Sequence, residues 1–209
     1  MNVVLFGATG KSGSRILREL SERGHEVTAV ARDISKLNGE AAKVAQDDLE
    51  NVQRTAEIIR GADAVISAYA PPADDTDALI SVTERQLQAL RLAGVKRLLV
   101  VGGAGGLEVA PGVSLIDSGH LPEAWLPIAT SHVKALGVLQ QSEDVDWTYV
   151  APAAYFEPGT RTGRFRTGSN ELISSATGES RISMEDYAIA MVDELERGAH
   201  PRQRISVGY

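Results

Sequence analysis

At 209 residues, 43% hydrophobic and 23% charged, the chain suits one α/β domain with a substantial core. A formal net charge of −7 argues against a general nucleic-acid binder, and the absence of cysteine excludes disulfides, thiolate metal ligands and cysteine nucleophiles. No apolar run is long enough to span a bilayer, and the first residues enter a strand without the marks of a secretory leader. The expectation is a cytoplasmic protein with a small-molecule partner, no metal, and a monomeric or homodimeric state.

Asn2-Val3-Val4-Leu5-Phe6 reads as a buried strand, followed by Gly7-Ala8-Thr9-Gly10-Lys11-Ser12-Gly13 and then a helix with Ile16, Leu17 and Leu20 on one face. Strand, glycine turn and helix N-terminus together make a site for a diphosphate. Glycine lets the backbone approach the ligand, and the helix start offers free N–H groups and partial positive charge. The spacing G-x-x-G-x-x-G departs from the commoner dinucleotide fingerprint G-x-G-x-x-G. A P-loop is ruled out, since it needs a glycine where Leu5 stands. Gly7, Thr9, Gly10, Lys11, Ser12 and Gly13 are therefore cofactor-binding candidates.

Glu26 to Ala31 forms a second strand ending at Arg32-Asp33. An acidic residue at this end suits the ribose hydroxyl of NAD, whereas arginine pairs with the 2′-phosphate of NADP. Arg32, with Lys36 one turn on, favours NADP(H) while leaving NAD(H) open, and Asp33 is expected to cap the turn that follows. Ala42 to Gln46 is a third strand. Beyond it, Asp48-Leu49 would meet the adenine, Asp48 also being able to cap the helix over 51–60. The fourth strand spans 62–68, and Ser67, Ala68 and Tyr69 at its end pass beside the cofactor, because ligands on open α/β sheets lie at the carboxyl ends of strands.

A helix over 76–93 leads to the fifth strand, Lys96 to Val101, and to Gly102. Residues 102–122 read as a long loop forming one wall of a substrate pocket. A helix over 128–142 and a sixth strand over 145–151, ended by Pro152, follow; Trp147 in that strand reads as core. Tyr155, Phe156, Arg161 and Arg164, with His120 from the loop, are expected to bind substrate, and the strip 164–173 to form a short hairpin. Ser183-Met184-Glu185-Asp186 resembles a capping box opening a helix that runs to about Arg197, and Gln203 to Val207 makes a last strand. The alternation predicts a single Rossmann-type domain over 1–209, a doubly wound parallel sheet of order 3-2-1-4-5-6 with helices on both faces. A seventh strand is allowed at the edge, and residues 152–183 supply a small substrate-side segment.

These residues resemble the atypical short-chain dehydrogenase/reductases of the NmrA-like group, and within it the small NADH-flavin reductase-like proteins, similar in plan to biliverdin-IXβ/flavin reductase. The likeness rests on Gly7 to Gly13, Arg32, Asp48-Leu49 and Asp146-Trp147-Thr148. It continues through Pro152-Ala153, Pro158 to Gly163, and Ile182-Ser183 with Asp186-Tyr187-Ala188. Typical members of the wider superfamily carry Tyr-x-x-x-Lys after the fifth strand and a serine at its end. Here Lys134 is preceded four residues earlier by Thr130, whose hydroxyl is too weak an acid for general catalysis near neutral pH, and the serine position reads Gly102 or Gly103. The catalytic candidates are thus Thr130, His132 and Lys134, the last in a ribose-holding role that also makes it a cofactor contact with Gly102 and Pro152. Ordinary ketone reduction is disfavoured. Hydride transfer to a flavin (FMN or FAD as substrate) or another conjugated acceptor needs mainly the right ring geometry, and the arginines could hold its phosphate. The resemblance equally allows a redox sensor that binds NAD(P) without turnover; a cofactor-retaining epimerase fits the missing tyrosine poorly.

Overall fold

The computed structural model describes residues 1–37, 39 and 41–209. The chain begins with β1 (Asn2–Phe6), α1 (Lys11–Glu22), β2 (Glu26–Ala31), β3 (Lys43–Gln46), α2 (Val52–Ile59) and β4 (Ala64–Ser67). It continues with α3 (Ala78–Ala93), β5 (Arg97–Val101), a small pair β6 (Glu108–Ala110) and β7 (Val113–Ser114), and α4 (Leu126–Gln140). The last part holds β8 (Asp146–Pro152), β9 (Tyr155–Glu157), β10 (Arg166–Gly168), β11 (Arg181–Ser183), α5 (Met184–Arg197) and β12 (Gln203–Gly208).

The main sheet runs β10-β12-β8-β5-β4-β1-β2-β3. Its six central and right-hand strands have the expected order, with β8 as the sixth, and β12 adds a seventh parallel strand. The strip 164–173 does not fold on itself as a hairpin. Instead Arg166–Gly168 pairs antiparallel with β12, closing the edge of the sheet. The stretch 102–122 is also more regular than its glycines suggest, since β6 and β7 form a two-stranded ribbon inside it.

Strand residues alternate between two cores, as the pleat requires. Val3 and Leu5 of β1 face α1 and α5, packing with Ile16, Leu20, Tyr187 and Met191. Val4 and Phe6 face the α2–α3–α4 layer, packing with Ile59, Val82, Leu90 and Leu139. Trp147 is in this second core, its indole N–H donating to the Ser142 carbonyl at 3.3 Å. Asp33 caps the 3₁₀ turn Ile34–Lys36 as expected. The α2 cap is Asn51, not Asp48: the Asn51 side chain accepts from the Arg54 N–H at 3.1 Å.

At α5, Ser183 accepts from the Asp186 N–H at 3.0 Å, giving half a capping box. The other half is diverted. Asp186 is fully buried, and its carboxylate accepts from the Thr162 and Gly163 N–H groups at 2.8 Å each and from the Tyr209 hydroxyl at 2.8 Å. One side chain at a helix start thereby pins the loop after β9. Burial alone would raise its pKa, but the hydrogen bonds from Thr162, Gly163 and Tyr209 outweigh that and hold it low.

Candidate functional site

The three glycines of the first turn are needed for three different reasons. Gly7 has φ +73°, and a Cβ there would lie 2.3 Å from the Ala68 carbonyl oxygen. Gly13 packs α1 onto the turn so closely that a Cβ would fall 2.1 Å from the Gly7 carbonyl oxygen. Gly10 is different: its φ is −74°, and a Cβ would meet only the Gly7 oxygen, at 3.2 Å. Fold geometry requires the first two glycines, whereas the third chiefly keeps the helix mouth open. Gly10 is also the N-cap of α1 and brings no side-chain cap, so the first-turn N–H groups remain available to an anion. A backbone cradle of this kind fits a diphosphate.

From this turn a cleft of about 170 Å³ runs across the carboxyl ends of β1, β2, β3 and β4. Of the residues expected at the cofactor, Gly7, Thr9 and Gly10, Arg32 and Lys36, Asp48 and Leu49, and Ala68 and Tyr69 line it. Phe6, Val30, Ala31, Asp33, Asp47 and Ala70 complete its walls. Lys11, Ser12, Gly13, Ser67, Gly102, Lys134 and Pro152 lie outside those walls; Ser67 is buried at the end of β4.

The β3 end is built with some strain. Leu49 adopts φ +66°, a left-handed conformation unusual for leucine. Asp47 holds it there, its buried carboxylate accepting from the Thr55 hydroxyl at 2.8 Å and the Leu49 N–H at 3.4 Å. The Leu49 carbonyl accepts from Arg85 Nε at 2.6 Å. At the β2 end Lys36 sits 3.6 Å from Asp33, while the Arg32 carbonyl accepts from Gln46. The cleft is therefore basic at its β2 corner and acidic at Asp48.

Helix α4 separates the three catalytic candidates. Thr130 and Lys134 are four residues apart and share a face, whereas His132, two residues from each, points the other way. Thr130 is exposed. The Lys134 ammonium is bound to Asp77 at 3.0 Å, and Asp77 also accepts from the Ser131 hydroxyl at 2.6 Å, so this lysine ties α4 to the start of α3. His132 turns toward the sheet. Its Nδ1 lies 3.3 Å from the hydroxyl of Tyr149, a fully buried β8 residue, and that hydroxyl accepts from the Gly103 N–H at 2.8 Å. Tyr149 reads in sequence as one more core residue of a strand, and only the tandem Gly102-Gly103 signals that something bulky packs there. A Cβ on Gly102 would lie 2.3 Å from the Tyr149 ring, and one on Gly103 2.9 Å from His132 Cγ.

Burial pushes the His132 pKa down to about 4 and the Tyr149 phenol above its usual range. His132 is thus neutral in the folded protein at neutral pH. The unfolded chain, with an ordinary histidine, takes up a proton between about pH 6.5 and pH 4 that the folded chain refuses. His132 therefore costs stability as pH falls through that window, by up to roughly 3 kcal/mol at about 1.4 kcal/mol per unit. Urea denaturation near pH 7 and near pH 4.5 should show this acid loss shrinking in His132→Gln.

The substrate-side candidates divide as well. Tyr155 is exposed and stands edge-on to the exposed Trp125, with ring centroids 6.4 Å apart, and the Arg181 guanidinium lies 5.6 Å from the Tyr155 ring. Phe156 instead packs against Tyr187 at 4.6 Å and belongs to the core. Arg161 is held by two hydrogen bonds of 3.0 Å to the buried Glu19 carboxylate, which makes it a clamp between α1 and the β9–β10 loop. Arg164 and His120 are exposed, their backbone N–H groups bonded to Thr162 Oγ1 and Ser118 Oγ respectively.

Residues 7–197 match the family model described as NAD(P)H-binding. The chain belongs to the NAD(P)H-binding family. Solved structures superpose along the whole chain. One from Burkholderia pseudomallei is 44% identical, with TM-score 0.92 and complete coverage of both chains. One from Bacteroides thetaiotaomicron is 43% identical, with TM-score 0.93 over 100% of this chain and 96% of that one. One from Streptococcus pneumoniae TIGR4 is 35% identical, with TM-score 0.91 over 100% and 99%. Their names, each qualified as putative, are exported protein, epimerase and NADH-flavin reductase respectively. As a member of the NAD(P)H-binding family, the protein has the doubly wound fold and takes a nicotinamide dinucleotide of the oxidoreductase type. No helix among the described residues is long and apolar enough to cross a membrane.

Proposed function

We propose that the protein is an NADPH-dependent reductase passing hydride to a flavin or a similar conjugated small molecule. The observation that carries this reading is the α4 arrangement. The lysine that would assist a catalytic tyrosine is bound to Asp77, and the position four residues before it is an exposed threonine. A site so built lacks the tyrosine–lysine pair that protonates a ketone, yet an acceptor ring that spreads its charge needs no such acid. The name of the Streptococcus structure supports the same substrate class. A reduced dinucleotide held by the residues of this cleft would supply the hydride. Arg32 and Lys36 would hold its 2′-phosphate, Asp48 the adenine amine, and the Gly7–Gly13 turn its diphosphate. Tyr155 and Trp125 offer exposed aromatic faces for a planar acceptor. Stopped-flow mixing with NADPH against FMN, FAD, quinones and tetrapyrroles tests the reading; oxidation with none of them would sink it.

For the cofactor, Arg32→Ala should weaken NADPH binding roughly ten- to hundredfold, the worth of a charge-assisted hydrogen bond pair, and leave NADH nearly unchanged. Calorimetry with both dinucleotides measures this, and equal losses would remove the 2′-phosphate assignment. The second reading is a redox sensor, favoured by the same Lys134–Asp77 pairing because sensing requires no proton donor. It predicts binding that distinguishes oxidised from reduced cofactor with no turnover. The epimerase name of the Bacteroides structure matches a third reading, a cofactor-retaining epimerase, against which the missing tyrosine counts. A cytoplasmic location and a monomeric or homodimeric state complete the proposal, to be checked by fractionation and light scattering.

A further inference from the structure

The cleft does not end at Asp48. Arg32, Asp47 and Asp48 line it and also line a second groove of about 570 Å³, to which Gln46 of β3 and Arg54 of α2 contribute. Gln46 joins the two arginines. Its side-chain amide donates to the Arg32 carbonyl at 2.9 Å, and its own carbonyl accepts from Arg54 Nη2 at 2.8 Å. Two acids of the groove are already engaged: the Asp47 carboxylate is buried on the Thr55 hydroxyl, with Arg54 Nε 3.9 Å away, and Glu50 pairs with Arg85 at 3.1 Å. The Arg32 guanidinium, by contrast, has no hydrogen bond or ion pair among the described residues.

Arg54 also stands at the wrong end of its helix for a cation. It lies in the first turn of α2, which carries no acid there, and that end is the positive pole, where an anion is preferred. Its side chain is 58% exposed, yet one N–H is fixed on a main-chain carbonyl, which leaves four others to donate. An arginine already held in place loses little further freedom when it grips a ligand. We propose that Arg54 is a second arginine for the 2′-phosphate, a specificity-determining residue that acts with Arg32 to select the phosphorylated dinucleotide. The inference rests on the NADPH reading above. A phosphate monoester carries about −1.5 to −2 near neutral pH and three acceptor oxygens, more than one guanidinium neutralises. Lys36 is partly offset by Asp33 at 3.6 Å, so the second full cation and planar fork come from Arg54. Asp48, whose carboxylate takes only the Glu50 N–H at 3.1 Å, keeps acceptor capacity for the adenine amine.

Calorimetry with 2′,5′-ADP and 5′-AMP isolates the phosphate, because these probes differ by that group alone; NADPH and NADH are measured beside them. Arg54→Met keeps the aliphatic stem and removes the charge. It should cost roughly tenfold in affinity for 2′,5′-ADP and NADPH, and leave 5′-AMP and NADH within about twofold. Arg54→Lys, which keeps the charge without the fork, should recover part of that loss. Arg32→Ala combined with Arg54→Met should erase the preference for NADPH over NADH. If Arg54→Met does not fold, Arg54→Lys carries the test, since it retains a donor for the Gln46 carbonyl and should still weaken 2′,5′-ADP by about threefold. An unchanged preference for 2′,5′-ADP in Arg54→Met would overturn the proposal. Equal losses for all four ligands would do the same, because an arginine that only ties α2 to β3 acts on every ligand alike. Wild-type protein that binds 2′,5′-ADP no better than 5′-AMP would instead overturn the Arg32 reading and this inference with it, so the wild-type preference tells the two failures apart.

Discussion

Gly13→Ala is expected to destabilise the protein by roughly 2–3 kcal/mol and to abolish tight dinucleotide binding, although alanine is the better helix former. The gain in helix propensity is about 1 kcal/mol, but the new methyl would stand 2.1 Å from the Gly7 oxygen and 2.8 Å from its carbonyl carbon. Both atoms belong to a backbone fixed by the Gly7 and Ala8 N–H groups on the Val30 carbonyl, so α1 must tilt away from the turn. Gly10→Ala is the control. Its methyl meets one atom at 3.2 Å at a φ that alanine accepts, so the melting temperature should move by only a few degrees. Dinucleotide affinity should nonetheless fall at least tenfold, because the methyl occupies the mouth of the helix. Thermal melts and calorimetry on the two variants separate a glycine required by packing from one required by a ligand. Equal stability losses would show that the distinction is wrong.

Asp186→Ala should cost roughly 3–5 kcal/mol, the value for removing one partner from a buried charged network, and lower the melting temperature by about 10 °C or more. The substitution strands the Thr162 and Gly163 N–H groups and the Tyr209 hydroxyl, all now within 2.8 Å of the carboxylate. Because the folded pKa is depressed, the stabilisation is complete above the unfolded carboxylate pKa and is lost as pH falls through the folded one. Urea denaturation across the acid range should therefore show a steeper loss in wild type than in the variant. Identical acid slopes would mean that the carboxylate is not what holds the 160–164 loop.

The elements most legible in the sequence were those set by short-range pattern. The strands of the central sheet alternate with helices, and right-handed crossovers then leave little freedom in their order. Three glycines at a fixed spacing mark the first turn because left-handed φ and close approach are local demands. Arg32 could be placed at the end of β2 by counting along the strand. The helix caps were partly legible: Asp33 and Ser183 were readable, whereas Asn51 took the place offered to Asp48, since a cap is chosen by the first residue to leave helical geometry.

What the chain could not reveal by itself depends on rotation about a helix axis and on pairings between distant segments. A shift of two residues along α4 decides between solvent and sheet, and so divides Lys134 on Asp77 from His132 on Tyr149. Arg161, with its sequence neighbours, looks like a pocket arginine until the fold brings Glu19 beneath it from 142 residues away. Arg166 follows a hairpin-like pattern, yet its strand pairs with β12 because an open sheet edge lies there. Local periodicity thus determined the sheet, the glycine turn after β1 and the place of Arg32 at the end of β2. Tertiary packing alone decided which charges are free for a ligand, because a side chain already satisfied within the fold has little left to offer one.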